Sequence, residues 1–439
     1  MTDIPLAAVV MAAGQGTRMR SATPKHLHPI LGRRMVDWVI GLGRELGAQP
    51  LVVVASPETA GEYADDVRVA VQSQALGTGD AVRCARGALE GAGDVLVLSG
   101  DHPVLTAELL EGLIKTHRTA GAAGTVLSFE PADPRSYGRI VRDESGSLAR
   151  IVEASDATDD ELEISEVNSS IYVFQGEYLW AALERLEPHN AQGELYLTDT
   201  LSFLVGDGRA VAVHVATDPR DVDGVNTRSD LAVAAAVLRD RINAAHMHAG
   251  VTIVDPATTW IEPMVEVAAD VVIEPFTSLK GATQVESGAH IGPHVVAVDS
   301  RIGEDALAGP FCYLRPGTVL EAGAKAGTFV EIKNSRVGAR TKVPHLSYLG
   351  DADVGEDTNI GAGAITVNLD HGRPGKNRTT IGSNVRTGVD NAFVAPVTIG
   401  DDAWTAAGSV ITDDVPPNAL AIARAKQVNK EGRGGKRDD

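Results

Sequence analysis

A six-residue spacing of mostly apolar side chains runs through the C-terminal part of the chain. Three stretches keep it: Val267, Ile273, Leu279, Val285 and Ile291; then Ile302, Ala308, Leu314, Leu320, Ala326 and Ile332; then Ile381, Thr387, Phe393, Ile399, Thr405 and Ile411. This period matches neither an amphipathic helix nor the simple alternation of a half-exposed strand. It is typical of hexapeptide repeats, whose short strands stack into a parallel β-helix in which each coil is covered by its neighbours. The pattern therefore predicts a β-helix over this region.

The repeat also divides the chain. With 439 residues, the chain is too long for one ordinary hydrophobic core. Before the repeat, Ser229 to His248 has an alanine-rich amphipathic pattern, and Ser229 or Asp230 is placed to cap the start of a helix. We predict an N-terminal domain over 1–228, a linker helix over 229–250, the β-helix over 251–425 and a flexible tail over 426–439. Residues 366–380, which interrupt the repeat, are expected to form an external loop.

Composition excludes several classes of protein. The net charge of −20 argues against a nucleic-acid partner, and it means that a polyanionic substrate needs local positive charge to bind. Cys84 and Cys312 lie far apart and make no disulfide framework, which favours a reducing compartment. No basic region precedes the first apolar run, and no apolar stretch approaches the roughly 20 residues that cross a bilayer. We therefore expect a cytoplasmic protein without membrane insertion.

A glycine-rich turn follows the first apolar run. Leu6 to Gly32 reads LAAVVMAAGQGTRMRSATPKHLHPILG, in which a run suited to one buried strand leads into Gly14-Gln15-Gly16. Glycines there let backbone N–H groups approach an anion, and Arg18 and Lys25 add positive charge. An ordinary strand-to-helix turn would look similar, since a bare GxG is common. The lysine favours phosphate binding, because Lys25 and Lys115 are the only lysines before residue 280.

Alternating strand and helix patterns continue through the N-terminal domain. Leu51 to Ala55, Asp94 to Ser99 and Gly124 to Phe129 are runs suited to buried strands. This alternation of strands and helices predicts an α/β, Rossmann-like domain with a mostly parallel sheet. Its ligand loops are expected at the carboxyl ends of the strands. Asp101 comes directly after one such strand, where a carboxylate is a natural Mg²⁺ ligand. An Asp turn before Pro103 would explain the same residue.

The glycine-rich segment resembles the signature of the sugar-1-phosphate nucleotidyltransferases, a pattern close to L-A-A-G-x-G-T-R-M followed by P-K. Two departures remove no charge: Met11 precedes Ala-Ala-Gly, and His26 follows the lysine. The run from Gln72 to Gly79, QSQALGTG, would alone be taken for a turn, but it matches the run that holds uracil in members of this family that use UTP. The resemblance implies a UTP site formed by Ala12, Ala13, Gly14, Gly16, Lys25, Gln72, Gly77 and Thr78.

Three elements further along match enzymes of this family that transfer a uridylyl group to N-acetylglucosamine 1-phosphate. They are Tyr137-Gly138-Arg139-Ile140, Ile151-Val152-Glu153 and Glu166-Val167-Asn168. The resemblance implies that Gly138, Glu153 and Asn168 hold the sugar, and that Asn226 contacts the UDP-sugar and joins Asp101 as a Mg²⁺ ligand. Such an oxygen-only pair is chemically sensible for a hard cation.

The expected chemistry of this half follows from charge. A sugar phosphate is already an anion at neutral pH, so it needs no general base to attack the α-phosphorus of UTP. Repulsion between the two anions is the obstacle. We therefore expect Mg²⁺, Arg18, Lys25 and backbone N–H groups to neutralise the phosphates and to position an in-line attack, with Arg18 and Lys25 as the catalytic side chains.

A second set of polar residues lies within the repeat. Arg315 and Lys333 could grip a phosphate, and His345, in the sequence HLSYLGD, could deprotonate an amine. A lone histidine in a β-helix is usually structural, but this one stands between cationic coils. An ammonium group must lose a proton before it attacks a thioester, and a base that titrates near neutral pH suits that step.

The two halves together closely resemble a family of bacterial bifunctional enzymes that acetylate glucosamine 1-phosphate and then uridylylate the product. The resemblance covers residues 4 to about 424. It implies uridylyl transfer in the N-terminal domain and acetyl transfer, with His345 as base, in a left-handed parallel β-helix. It also implies a homotrimer with acetyl-CoA bound between subunits. The implied ligands of the amino-sugar phosphate are Arg315, Lys333, Tyr348, Asn359 and Lys376, and those of acetyl-CoA are Asn368, Val389, Ala407 and Arg424.

Two departures affect the implied acetyl-CoA site. Leu369 stands where the family has an aromatic hydroxyl, in a loop two residues longer, and Val389 replaces a serine; each change is worth about 1 kcal/mol of cofactor binding. Two alternatives therefore stay open. One is a uridylyltransferase whose β-helix is only a trimerisation scaffold, against which the intact His345 argues. The other is a non-catalytic nucleotide-sugar sensor, against which the joint presence of Lys25, Asp101 and Asn226 argues.

Overall fold

The computed structural model describes residues 4–63, 67–89, 91–134, 136–369 and 375–433. Contacts between Cα atoms divide the chain into two units, Met1–Leu238 and Arg239–Asp439. The boundary falls inside one long helix, Arg228–His248. Of the helices in the described ranges, none is both long and apolar enough to span a membrane.

The first unit is an α/β domain. Its strands, in chain order, are β1 (Leu6–Ala12), β2 (Pro29–Ile30), β3 (Arg33–Arg34), β4 (Leu51–Ala55), β5 (Arg68–Val71), β6 (Asp94–Ser99), β7 (Gly124–Phe129), β8 (Arg139–Arg142), β9 (Leu148–Val152), β10 (Val167–Gln175) and β11 (Val211–Val215). Its helices are α1 (Met35–Glu45), α2 (Thr78–Cys84), α3 (Ala107–Ala120), α4 (Asp159–Leu162), α5 (Gly176–Leu183), α6 (Thr198–Gly206) and the first part of α7 (Arg228–His248).

The main sheet of this unit has the strand order β11-β7-β10-β6-β1-β4-β5. β1 runs parallel to β4 and β6, β4 to β5, and β11 to β7. Only β10 among these described strands runs antiparallel to both of its neighbours. β8 and β9 form an antiparallel pair attached to β10. The predicted mostly parallel sheet is thus confirmed, with one reversed strand that the sequence did not indicate.

The central strands are buried on both faces, which explains their continuous apolar sequences. In β1, Ala7 and Val9 pack into a core shared with α2, α5 and α6, whereas Ala8 and Val10 pack into a core shared with α1 and α3. Because parallel strands point the same way, the segments that follow β1 and β6 meet at one edge of the sheet. The glycine turn and Asp101 lie at that edge.

The second unit is a parallel β-helix, as predicted. After the rest of α7 its strands are β12 (Thr252–Ile253), β13 (Trp260–Ile261), β14 (Glu266–Val267), β15 (Val272–Ile273), β16 (Ser278–Lys280), β17 (Gln284–Val285), β18 (His290–Ile291), β19 (Val296–Val298), β20 (Arg301–Ile302), β21 (Leu307–Ala308), β22 (Tyr313–Leu314), β23 (Val319–Leu320), β24 (Lys325–Thr328), β25 (Glu331–Lys333), β26 (Arg336–Val337), β27 (Lys342–His345), β28 (Tyr348–Gly350), β29 (Ala352–Val354), β30 (Ile365–Val367), β31 (Thr379–Ile381), β32 (Ala392–Val394), β33 (Val397–Ile399), β34 (Trp404–Thr405), β35 (Val410–Ile411) and β36 (Leu420–Ala421).

All of these strands except β34 and β36, which pair with each other, form three faces. The first face has the order β12-β15-β18-β21-β24-β27, the second β13-β16-β19-β22-β25-β28-β30-β32-β35 and the third β14-β17-β20-β23-β26-β29-β31-β33. Paired residues on successive coils are 18 or 17 positions apart, as Leu279 with Ala297 and Val285 with Ile302 show, except across the interruption of the repeat, where pairs such as Val354 with Ile381 are 27 apart. Each coil therefore uses about three hexapeptides. Residues at the six-residue positions, such as Ile273 and Ile291, are fully buried inside.

The start of α7 corrects one detail of the prediction. The N–H of Asp230 donates to Oγ1 of Thr227 at 3.2 Å, and Oδ2 of Asp230 accepts the N–H of Thr227 at 2.9 Å. Thr227 is thus the capping residue, and Asp230 completes a reciprocal capping pair from the first turn. Of the two residues predicted to cap this helix, Ser229 or Asp230, Asp230 takes part in the cap from the first turn, and the N-cap itself is Thr227. The same Oδ2 atom also accepts the N–H of Asn226 at 3.0 Å, which ties the cap to a candidate site residue.

Two predicted segments are only partly described. In the interruption of the repeat, Leu369 and Lys376 form an antiparallel bridge, and residues 370–374 lie outside the described ranges. In the predicted tail, residues 426–433 are exposed and form no helix or strand, and residues 434–439 lie outside the described ranges. The external loop and the flexible tail therefore stay predictions.

Candidate functional site

A cleft of about 410 Å³ opens at the sheet edge where β1 and β6 end. Its lining includes all eight predicted UTP-binding residues, namely Ala12, Ala13, Gly14, Gly16, Lys25, Gln72, Gly77 and Thr78, together with Asp101. Gly16 has a φ of +62°, and a Cβ there would lie 2.3 Å from Cβ of Lys25. Both the backbone conformation and the close approach require glycine at this position. The fold thus brings the glycine turn and the Gln72 segment to one cavity.

Four polar side chains form one cluster in this unit. Nζ of Lys25 contacts Oδ2 of Asp101 and donates to Oδ1 of Asn226 at 3.0 Å. Nη2 of Arg18 donates to the same Asn226 oxygen at 2.9 Å. The two predicted catalytic cations and the two predicted metal ligands are therefore in direct contact. Arg18 and Asn226 are 208 positions apart in sequence, so only the fold joins them.

The surroundings of Asp101 keep its carboxylate charged. Burial alone would raise the pKa of Asp101, but the charges and hydrogen bonds of Lys25 and His102 outweigh it and hold the pKa well below its usual value. Oδ1 of Asp101 accepts a hydrogen bond from Oγ of Ser99 at 2.6 Å and lies 2.8 Å from Nδ1 of His102. An anionic, well-anchored carboxylate is thus available at neutral pH.

This carboxylate and the Asn226 amide fit a divalent cation. Oδ2 of Asp101 and Oδ1 of Asn226 both face the Lys25 ammonium group, so two hard oxygen atoms already share one positive charge. Within the described ranges, no group of three or more His, Cys, Asp or Glu side chains is placed to hold a metal. A cation bound here would need phosphate oxygens and water as further ligands, which is the usual environment of Mg²⁺ in phosphoryl-transfer sites.

The three predicted sugar-binding residues also come together. The N–H of Asn168 donates to the carbonyl of Gly138 at 2.8 Å, and a Cβ on Gly138 would lie 3.2 Å from Oε2 of Glu153. Oγ1 of Thr198 donates to Oε1 of Glu153 at 3.1 Å. Burial raises the pKa of Glu153, with smaller contributions from nearby carboxylates, while the Thr198 hydrogen bond acts against the rise. These residues lie where β8, β9 and β10 meet.

Several side chains at this site were not singled out from sequence. Oη of Tyr137 donates to Oδ1 of Asp223 at 3.1 Å and accepts the N–H of Gly224 at 3.2 Å, so it holds the segment that leads to Asn226. Glu194 lines the cleft. The tyrosine stands inside a matched motif, which was a usable signal, whereas nothing near Glu194 in the sequence marks it.

His26, noted only as a departure from the family pattern, also lines the cleft. It is 3% exposed, and its Nε2 has no hydrogen-bond partner among the described residues. Burial lowers its pKa to about 4; Asp101 opposes this change, and Lys25 and Arg34 add to it. The imidazole is therefore neutral at physiological pH and adds no further charge next to Lys25.

The β-helix carries a separate cationic cluster. Nη1 of Arg315 donates to Oε1 of Glu331 at 2.7 Å, and both groups lie at the surface. The ammonium group of Lys376, through a hydrogen bond and charge repulsion, lowers the pKa of Lys333, and Arg315 adds to the effect. Three of the predicted phosphate ligands thus lie close enough for their charges to interact. Mutual repulsion between them favours binding of an anion.

Tyr348 and Asn359 continue this surface. Tyr348 begins β28, and a Cβ on Gly350 would lie 2.3 Å from Oη of Tyr348. A larger residue at position 350 would have to displace the phenol. Asn359 forms bridges with Lys342 on one coil and Arg386 on the next. The fold thus places all five predicted amino-sugar-phosphate ligands on the coils between β22 and β31.

His345 lies at the corner between the first and second faces. Its side chain is exposed, and its carbonyl accepts the N–H of Gly363 at 3.3 Å on the next coil. Val389 occupies the same corner two coils further, where its carbonyl accepts the N–H of Gly408 at 2.8 Å. Nη1 of Arg424 donates to the carbonyl of Ala407 at 2.7 Å. The predicted base and three predicted acetyl-CoA residues therefore follow one edge.

Asn368, the fourth predicted acetyl-CoA residue, is in a different environment. It is 7% exposed, and its Nδ2 donates to Oδ2 of Asp351 at 2.5 Å. Oδ1 of Asp351 accepts a second amide hydrogen bond, from Asn334, at 2.6 Å. Leu369 and Val389, the two departures from the family pattern, are 53% and 47% exposed. They do not disturb the interior of the β-helix.

The fold and these two clusters define a class of protein: a nucleotidyltransferase domain followed by a hexapeptide-repeat transferase domain. Residues 8–193 match the MobA-like NTP transferase domain. The chain is 49% identical to the bifunctional protein GlmU of Streptomyces coelicolor, over 98% of this chain and 94% of that protein. It is 48% identical to GlmU of Mycobacterium tuberculosis, over 97% and 91%, and 45% identical to GlmU of Corynebacterium efficiens, over 98% and 94%. The chain belongs to the GlmU family of bifunctional proteins.

Proposed function

We propose that this protein makes UDP-N-acetylglucosamine in two steps on two separate sites. The second unit transfers an acetyl group from acetyl-CoA to glucosamine 1-phosphate, and the first unit transfers a uridylyl group from UTP to the N-acetylglucosamine 1-phosphate so formed. The contact between Lys25, Asp101, Asn226 and Arg18 beside the cleft carries the proposal for the first unit. Membership of a bifunctional family favours this assignment over a scaffold-only β-helix or a nucleotide-sugar sensor.

In uridylyl transfer, an oxygen of the sugar phosphate forms a bond to the α-phosphorus of UTP, and the bond to pyrophosphate breaks. No net proton transfer is required. Arg18 and Lys25 supply the positive charge that offsets repulsion between the two anions, and the backbone of the glycine turn holds the triphosphate. Glu153, Asn168 and Gly138 orient the sugar so that its phosphate lies in line with the leaving group.

Magnesium would be held by Asp101 and Asn226. When bound, it supplies charge neutralisation at the phosphate oxygens. The Lys25 ammonium group contacts both of these oxygen atoms, so the residues that would hold the cation already face a positive charge.

In acetyl transfer, the amino group of glucosamine 1-phosphate loses a proton to His345 and attacks the thioester carbonyl carbon of acetyl-CoA. The carbon–sulfur bond breaks, the nitrogen gives up its second proton as the amide forms, and the thiolate of CoA takes a proton. Arg315, Lys333 and Lys376 hold the phosphate, with Tyr348 and Asn359 contacting the sugar. The exposed position of His345 leaves its imidazole free to approach the amine.

We further propose that the protein works as a homotrimer in which the edge that carries His345 meets a neighbouring copy. An exposed apolar ridge, formed by Phe276, His294, Phe311, Phe329 and Leu346, runs along that edge. The first four rings stack with centroid separations of 4.8, 4.6 and 5.3 Å. Phe276, Phe329 and Leu346 are 56%, 59% and 60% exposed. A continuous ridge of this kind is typical of a surface that another chain covers.

A charge placed in the ridge should dissociate the trimer. For Phe311→Glu we expect light scattering to give the mass of a monomer, because covering the ridge would bury an unpaired carboxylate. Acetyl transfer should fall at least about tenfold in parallel, since its cofactor site is proposed to lie between copies, while uridylyl transfer stays within about twofold. Val319→Glu, on the opposite third face, is the matched control and should remain trimeric. A Phe311→Glu protein that stays trimeric and fully active would contradict the proposal that this ridge is the contact between copies.

The uridylyl step is tested directly by incubating the protein with UTP and N-acetylglucosamine 1-phosphate and measuring pyrophosphate release. We expect release that requires added Mg²⁺ and stops when a chelator is added. Binding of UTP without turnover at any Mg²⁺ concentration would contradict the proposed function and favour the sensor.

A further inference from the structure

A buried carboxylate fixes the direction of the amide at the predicted uracil-binding residue. Nε2 of Gln72 donates to the carbonyl of Gly77 at 3.1 Å and to Oδ2 of Asp80 at 3.0 Å. These two bonds use both hydrogens of the amide NH₂ group. Gln72 and Asp80 are 6% and 7% exposed, so water does not compete for these groups.

The opposite orientation of this amide is unfavourable. Oδ1 of Asp80 accepts from Nη2 of Arg83 at 2.5 Å, and the carboxylate paired with this guanidinium can only accept hydrogen bonds. If the amide of Gln72 turned over, its carbonyl oxygen would face Oδ2 of Asp80 and the carbonyl of Gly77. Two acceptor pairs would then be buried without a hydrogen, which is costly.

Only one polar atom of Gln72 is left for a ligand. Among the described residues no donor pairs with its Oε1, and the residue lines the nucleotide cleft. The pocket therefore presents an acceptor, and not a donor, at this point. A base that binds there must bring a hydrogen-bond donor.

We propose that Asp80 is a positioning residue for base selection: by orienting Gln72, it makes the pocket select uracil over cytosine. Uracil carries a donor, N3–H, at the ring nitrogen of its pairing edge, where cytosine has a bare acceptor. Cytosine's own donor on that edge is the N4 amino group, one position away, so the proposal places the Gln72 oxygen opposite the ring nitrogen. This inference rests on the proposed function, since it places UTP in the cleft. Asp80 acts through Gln72, and it is not among the residues that the family resemblance implies for the UTP site.

The test compares kcat/KM for UTP and CTP, with N-acetylglucosamine 1-phosphate and Mg²⁺, in the wild type and in Asp80→Asn. An asparagine can face Gln72 with either its oxygen or its NH₂ group, so the Gln72 amide becomes free to turn. We expect the preference for UTP to fall at least about tenfold, with part of the change as a gain with CTP. Arg83→Gln is the control: it removes the ion pair but keeps the carboxylate, and its preference should stay within about threefold of the wild type.

An unchanged UTP preference in a folded Asp80→Asn protein would overturn the inference while leaving the proposed function intact. Failure of the wild type to use either nucleotide would overturn the proposed function itself. Should Asp80→Asn not fold, the wild type is given 3-methyluridine and 5-methyluridine triphosphates, which each add one methyl group. Only the first lacks the N3–H donor, so we expect at least about tenfold lower kcat/KM for it. Equal use of the two analogues would overturn the inference.

Discussion

Replacing Lys25 with alanine is expected to lower uridylyl transfer by at least about a hundredfold, the usual consequence of losing one electrostatic stabiliser from a preorganised site. Lys25 is in contact with Asp101 and Asn226 and lines the cleft, so its loss removes a charge at the centre of the cluster. The measurement is pyrophosphate release from UTP and N-acetylglucosamine 1-phosphate at saturating Mg²⁺.

Two controls separate catalysis from folding in this experiment. Lys115→Ala removes the other lysine found before residue 280, an exposed side chain on α3 away from the nucleotide cleft, and should keep full activity. Acetyl transfer by the Lys25→Ala protein should also be unchanged, because that site lies in the other unit. If the Lys25→Ala protein keeps uridylyl transfer within about threefold of the wild type, Lys25 has no catalytic role.

The second large effect concerns His345. His345→Ala is expected to lower acetyl transfer to glucosamine 1-phosphate by about a hundredfold to ten-thousandfold, the range found for loss of a general base. Uridylyl transfer to N-acetylglucosamine 1-phosphate should be unaffected. The readout is release of the CoA thiol, followed with a thiol reagent.

His290→Ala is a matched control for this variant. His290 lies on β18, on the first face of the β-helix, and its imidazole is 3.5 Å from a Glu274 oxygen. It is a surface histidine without a proposed role, so its removal should leave both activities intact. If His345→Ala retains acetyl transfer, the deprotonation step belongs to another group, and the β-helix mechanism must be reassigned.

The β-helix could be predicted because its sequence signal is redundant. Ile273, Leu279, Val285 and Ile291 must all point inward on successive strands, so the six-residue period repeats the same constraint many times. The exposed residues of the apolar ridge, at the corner between the first and second faces, carry a weaker signal and were not predicted. Phe276, His294, Phe311 and Phe329 recur at 18- and 17-residue intervals, and one residue per coil gives a weaker sequence signal than the inward position of every hexapeptide.

Strand direction was harder to predict. Val167–Gln175 is buried on both faces like its neighbours, yet it runs antiparallel to them. Burial on two faces makes a strand apolar whichever way it points, so the alternation of strands and helices was the only guide to direction.

The residues of the nucleotide site could be predicted from the sequence. The contacts between those that lie far apart in the chain could not. The Gly14 to Gly16 turn and Lys25 are local features, and the cleft contains them as expected. The hydrogen bond between Arg18 and Asn226 depends on how the segment between β11 and α7 returns to the sheet edge, which no local pattern encodes. The orientation of the Gln72 amide depends on Asp80, eight residues away on α2, and this contact between two buried side chains is set by the fold.

The most direct test of two working sites on one chain is mass spectrometry of the products formed from glucosamine 1-phosphate, acetyl-CoA, UTP and Mg²⁺, with a parallel sample that starts from N-acetylglucosamine 1-phosphate. We expect UDP-N-acetylglucosamine in both samples, and none in the first sample when acetyl-CoA is left out. Product only in the second sample would contradict the bifunctional assignment and leave the β-helix as a scaffold, with Leu369 and Val389 the first residues to restore to the family pattern.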